Sequence, residues 1–145
     1  MRAKDLMKSI RPLREELMLL RQQEQAMLSL QAITYDRIRV QTSPQDRMFE
    51  TVDAIQKLGD LILRKEKELA EMQLEAMTLI YSLDKTEYRK LLIIYYIDGD
   101  KQKRWNEVAD IMGYSESRVK HLHGWALAEI ERKIKDSTRE HYNPC

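Results

Sequence analysis

Near the N-terminus, apolar residues recur in alternating steps of four and three: Leu6, Ile10, Leu13, Leu17, Leu20 and, after Glu24 interrupts, Met27. This spacing is the narrow seam of a helix that packs lengthwise on another helix. Pro12 sits inside the pattern, so the helix is expected to kink there or to begin near it, with Ser9 as cap. The seam weakens past Leu30, and Thr34 to Pro44 are expected to form a connection. Ser43-Pro44-Gln45-Asp46 then has the order of a helix start: a serine cap, proline at the first helical position and an acid behind it. From there Met48, Val52, Ile55, Ile62, Leu69, Met72, Ala76, Leu79 and Leu83 keep helical spacing to about Ser82, with Gly59 tolerated inside. Two striped helices joined by a short link are expected to fold back as an antiparallel hairpin, each thirty-residue arm roughly 45 Å long at 1.5 Å per residue.

A new helix start is expected at Asp84-Lys85-Thr86-Glu87, with Asp84 as cap and Leu83 and Tyr88 flanking it as an apolar staple. Leu91, Leu92, Ile94, Tyr95 and Ile97 make that helix apolar over most of its circumference, which predicts a core helix. Asp98-Gly99-Asp100 ends it, and a basic loop follows from Lys101 to Arg104. A short helix carries Val108, Ala109, Ile111 and Met112, and Gly113 can adopt the positive φ of a sharp turn. Ser115 is placed to cap the next helix. At 100° per residue that helix gathers Val119, Leu122, Ala126, Leu127 and Ile130 on one side. The other side carries Ser117, Lys120, His121, Gly124 and Ala128, with Arg118 and Trp125 at an edge. Long donors stand at its N-terminal end with small residues behind them. A helix entering the major groove of DNA needs this arrangement, because its first turns must reach base edges without bulk blocking approach.

These residues resemble a known family. Residues 84–130 are similar to region 4 of the sigma-70 class of bacterial transcription factors, through Glu107-Val108-Ala109, Gly113, Ser115, Arg118-Val119-Lys120-His121-Leu122 and Ala126-Leu127. The resemblance implies a recognition helix that reads a promoter element in the major groove. It puts Glu116, Ser117, Lys120 and His121 at or beside base-reading positions and Arg118 toward a phosphate. With Ser43-Pro44 and Asp46-Arg47-Met48 upstream, the chain more specifically resembles small phage regulators of the ArpU/RinA type, which implies an activator of late phage or prophage genes. Glu116, Trp125 and the loop from Asp98 to Arg104 depart from the usual pattern. Nothing resembles the sigma segment that melts DNA, so a complete sigma factor is not expected.

Composition adds the context. Good helix formers dominate, with 4 glycines, 3 prolines and 1 phenylalanine, so an all-α fold is expected. Charged residues make up 34% of the chain, yet the net charge is only +1, and splitting at Leu83 leaves both halves near neutral. Any DNA-binding face must therefore be basic by local segregation of charge. The single cysteine, Cys145, ends the chain and permits no internal disulfide, which suits a reducing compartment. No apolar run approaches the ~20 residues of a membrane span, so a cytoplasmic protein of a bacterial host cell is expected.

The expected organisation is a helical hairpin and oligomerisation region over 1–83, a helix-turn-helix domain over 84–135 and a flexible tail over 136–145. The expected DNA contacts are Ser115, Glu116, Ser117, Arg118, Lys120 and His121, joined by Lys103, Arg104 and Trp105 ahead of the first helix of the motif. Trp105 is read first as a packing anchor. His121 and His123, two apart on a helix, do not share a face and are not read as metal ligands. No phosphate loop, ligand set or nucleophile motif is present in the sequence, so neither an enzyme nor a cofactor is expected. The expected partners are double-stranded DNA, a second copy bound through the N-terminal helices, and bacterial RNA polymerase as a candidate. The competing reading is an interaction module that binds polymerase or a sigma factor without DNA specificity of its own.

Overall fold

A computed structural model describes residues 2–38 and 45–142, with side chains for 2–33 and 50–138. Among them the chain is all-helical, without strands. The elements are α1 (Arg2–Ile38), α2 (Gln45–Tyr81), α3 (Thr86–Leu92, continued by a π-helical turn over Ile93–Ile97), α4 (Trp105–Met112) and α5 (Glu116–Tyr142). The expected cap at Ser43-Pro44 and the terminal Cys145 lie outside the described residues. The chain divides into two compact units, one of residues 1–12 with 70–145 and one of residues 13–69.

In the larger unit, α3 and α4 both pack on α5. The expected apolar side of α5 is the buried one: Val119, Leu122, Ala126, Leu127 and Ile130 are all buried, as are Val108 and Ala109 of α4. Leu83, Tyr88, Leu91, Leu92, Ile94 and Tyr96 complete the middle of this core. The unit also takes in the first turns of α1, through buried Ala3, Met7 and Ile10, and the end of α2, through Ala76 and Ile80. Of the neighbouring pair Leu6 and Met7, Met7 is the fully buried one. At the start of α1 the Ala3 N–H, which has no partner within its own helix, donates to Glu131 Oε1 at 3.1 Å.

Four local expectations change. The helix does not begin at Pro12: α1 runs through it, and the Ser9 hydroxyl donates back to the Asp5 carbonyl at 2.7 Å instead of capping. Buried Ala3, Met7 and Ile10 hold the turns before the proline in place, which offsets the backbone bond that proline cannot donate. The connection is shorter than expected, because α1 continues to Ile38. Asp84 is not the cap of α3. That position is Lys85, whose carbonyl accepts from the Tyr88 and Arg89 N–H groups, while Asp84 pairs with Lys133 Nζ at 3.8 Å. Finally, the stretch expected as a tail from 136 is helical through Tyr142, carried on as the last turns of α5.

In the smaller unit Glu16 pairs with Lys65 at 3.8 Å, Arg21 pairs with Glu66 at 2.8 Å, and the Glu24 carboxylate lies beside Gly59. These contacts bring residues 16–24 of α1 beside residues 59–66 of α2. Among the described residues of this unit only Leu13, Leu17 and Ile62 are buried apolar residues. Val52 and Leu63, by contrast, are exposed.

Candidate nucleic-acid interface

The turn between α4 and α5 is built from local chemistry. Gly113 has φ 73° and ψ 29°, the left-handed conformation that glycine adopts without steric cost, and its N–H donates to the Ala109 carbonyl at 2.9 Å. Tyr114 N–H returns to the same carbonyl at 3.1 Å. Ser115 then caps α5, its hydroxyl accepting from the Arg118 N–H at 3.1 Å. At the other end of α4, Arg104 is the capping residue and its N–H donates to Glu107 Oε2 at 3.4 Å. A guanidinium has no acceptor, so the Arg104 side chain cannot itself accept from the free N–H groups of the first turn.

The outward side of α5 begins with Glu116, Ser117, Lys120 and His121, all exposed, followed by exposed Gly124 and Ala128. Lys120 Nζ pairs with Glu116 one turn earlier at 3.4 Å. His121 Nδ1 lies 2.7 Å from the Ser117 carbonyl. A carbonyl only accepts, so Nδ1 is the donor of this bond and Nε2 is the ring nitrogen left free of the helix backbone. Arg118 stacks over the Tyr114 ring, 4.5 Å from its centroid, and pairs with Glu87 of α3 at 3.9 Å. Lys103 is drawn toward Asp98 at 4.0 Å. These pairs are solvent-exposed or partly so, and such pairs contribute about 0–1 kcal/mol. A phosphate can displace the carboxylates at small cost.

Trp105 is not presented as a base-stacking ring. It lies parallel to Tyr95 at 4.3 Å and 14°, and meets His123 edge-on at 5.0 Å. His123 shares a 2.6 Å hydrogen bond with the Tyr96 hydroxyl, whereas His121 faces Trp125 at 5.9 Å, so the two histidines stand in different surroundings. Burial, helped by the positive charges of Lys4 and Lys8, pushes the His123 pKa down to about 4 and keeps the ring neutral. Burial likewise pushes the Tyr96 phenol upward, with the neighbouring Tyr95 adding to it.

Sequence reasoning missed two features here. Tyr114 and Glu87 hold the Arg118 guanidinium; the spacing of Tyr114 and Arg118 was available as a signal, but the Glu87 pairing is long-range. The second is Arg11, whose guanidinium donates to the carbonyls of Tyr95, Ile94 at 3.4 Å, Asp98 at 2.6 Å and Gly99 at 3.4 Å. It thereby closes the end of the π-helical turn just ahead of the basic loop. Among the described residues no cluster of His, Cys, Asp and Glu is arranged to hold a metal ion, and no helix is long and apolar enough to cross a membrane. No protein-family model, curated protein or solved structure matches the chain.

Proposed function

We propose that the chain is a sequence-specific DNA-binding transcriptional regulator in which α4, the Gly113 turn and α5 act as a helix-turn-helix and α5 reads the major groove. The observation that carries this reading is the α5 surface. A glycine turn and a serine cap precede a helix whose first exposed turns hold Ser117, Lys120 and His121, followed by Gly124 and Ala128. With Nδ1 bonded to the Ser117 carbonyl, His121 Nε2 is the ring nitrogen free to meet a base edge in the groove. Arg118 and Lys103 exchange exposed carboxylates for phosphates, exposed Arg104 adds a further charge at the start of α4, and Trp105, stacked on Tyr95, acts as a packing anchor. The N-terminal helices act as a hairpin that joins two copies. The resemblance to sigma region 4 and to ArpU/RinA-type regulators extends the reading to activation of phage late genes in the cytoplasm of a bacterial host.

Selection of bound duplexes from a randomised library tests the reading, and an enriched sequence is the expected result. Changing Arg118 to alanine weakens binding to all sequences alike and flattens the salt dependence by about 0.9 in log–log slope, one phosphate's worth. Changing His121 to alanine alters preference at one base pair by roughly 1–3 kcal/mol. A second reading has its own support: Arg118, Lys120 and Lys103 already have carboxylate partners, and Trp125, beside His121, is an exposed apolar residue. On that reading the face binds RNA polymerase or a sigma factor. A library without an enriched sequence, together with capture of purified polymerase, selects it.

A further inference from the structure

In α2, Leu58, Leu61, Leu63, Leu74 and Met77 lie off the main apolar stripe and so are candidates for self-association. Three of these, Leu58, Leu61 and Met77, are half-buried within the chain, which leaves only Leu63 and Leu74 exposed. The outer face of α1 is different. Leu19, Gln22, Ala26, Leu30 and Ile33 follow one another at steps of three and four, all exposed, with Met18 beside them. They form a second seam opposite the one that carries Leu13 and Leu17.

That seam carries no charge, in a chain in which 34% of residues are charged. Between Met18 and Ile33 the only charged residues are Arg21 and Glu24. Arg21 pairs with Glu66 of α2, and Glu24 lies beside Gly59 of α2, so both serve the other side of the helix. The exposed positions of α2 in the same unit show the usual solvated chemistry, with Asp53, Lys57, Asp60, Arg64 and Lys67. A helix intended only for water has no reason to lack charge along four turns.

We infer that the outer face of α1 from Met18 to Ile33 is a two-fold interface that binds the same face of a second copy of this chain. The occupant follows from the chemistry. An uncharged seam can meet itself without like-charge repulsion, and the Gln22 amide, both donor and acceptor, is self-complementary across a two-fold axis. Every charged helix face of the chain would instead have to bury its charges there. The unit also lacks a core of its own, with only Leu13, Leu17 and Ile62 buried among its described residues. Two copies joined through α1 make four helices from two, and the Leu19, Leu30 and Ile33 side chains supply the missing interior. The inference rests on the self-association part of the proposed function and not on DNA reading.

Light scattering coupled to size exclusion, run on the full chain across micromolar concentrations, tests it. The wild-type chain is expected at the mass of two copies. Leu19→Glu combined with Leu30→Glu is expected at the mass of one, with unchanged helicity by circular dichroism. Leu63→Glu, on the exposed side of α2, is expected to stay at two. Should the glutamate pair lose helicity, Leu19→Gln with Leu30→Gln replaces it and must weaken the dimer at least tenfold. A wild-type chain that stays monomeric overturns the inference, and so does a dimer that survives the seam variants. Library selection on the monomeric variant separates the two proposals, since loss of half-site symmetry concerns the interface and loss of all enrichment concerns the reader.

Discussion

Replacing Arg11 with alanine removes the side chain that closes the π-helical turn ahead of the basic loop. Two of its carbonyl partners, Asp98 and Gly99, belong to exposed residues and regain water when the guanidinium goes. The bonds to Tyr95 and Ile94 are partly buried and are replaced less completely. Hydrogen bonds from a charged donor contribute about 1.5–3 kcal/mol, and the shared donor makes the set less than additive, so about 2 kcal/mol is expected. At roughly 3 °C per kcal/mol for a chain of this size, the transition moves down by about 6 °C. Arg11→Lys keeps the charge but offers a compact ammonium in place of a planar fork, so it recovers only part of the loss. Thermal melting followed by circular dichroism measures all three proteins. Equal melting temperatures for wild type and Arg11→Ala would show that water satisfies these carbonyls as well as the guanidinium does, and would refute the reasoning.

Three further outcomes follow from the same structure. Gly113→Ala is expected to cost about 1–2 kcal/mol in urea unfolding, since an alanine is forced to φ 73° while its added methyl meets nothing within 4 Å; Gly113→Asn recovers part of this. The His123 pKa is about 4 in the folded chain and 6.5 when unfolded, so the unfolded state binds the extra proton first as pH falls. Its contribution is therefore complete above pH 6.5 and is lost between there and about pH 4, and a His123→Phe variant should show a flatter melting profile across that window. A fragment of residues 84–145 lacks Ala3, Met7, Ile10, Ala76 and Ile80 from its core, and should show a broad, early transition by calorimetry; a melting temperature equal to that of the full chain would mean these residues contribute nothing.

What the sequence determined by itself is the part governed by neighbours in the chain. The Gly113 turn, the Ser115 cap and the division of α5 into a buried and an exposed side all depend on residues within a turn or two of each other. Backbone sterics, capping and the 3.6-residue period act at that range, and each of these features stands in the structure as the residues predict. The all-helical class follows in the same way from the supply of helix formers. Where expectation and structure part, a distant partner decides. Pro12 and Ser9 have the local look of a helix start, but buried Ala3, Met7 and Ile10 carry α1 back to Arg2. Asp84 has the look of a cap, but Lys85 takes that position and Asp84 lies 3.8 Å from Lys133 of α5. Leu6 and Met7 are both apolar, and the packing of the first turns with residues 70–145 selects Met7 for burial. Arg11 with the Tyr95 and Asp98 carbonyls, and Arg118 with Glu87, join residues far apart in sequence. No periodicity encodes such pairs, because they exist only once the helices have packed and brought an unsatisfied carbonyl or carboxylate within reach of a guanidinium.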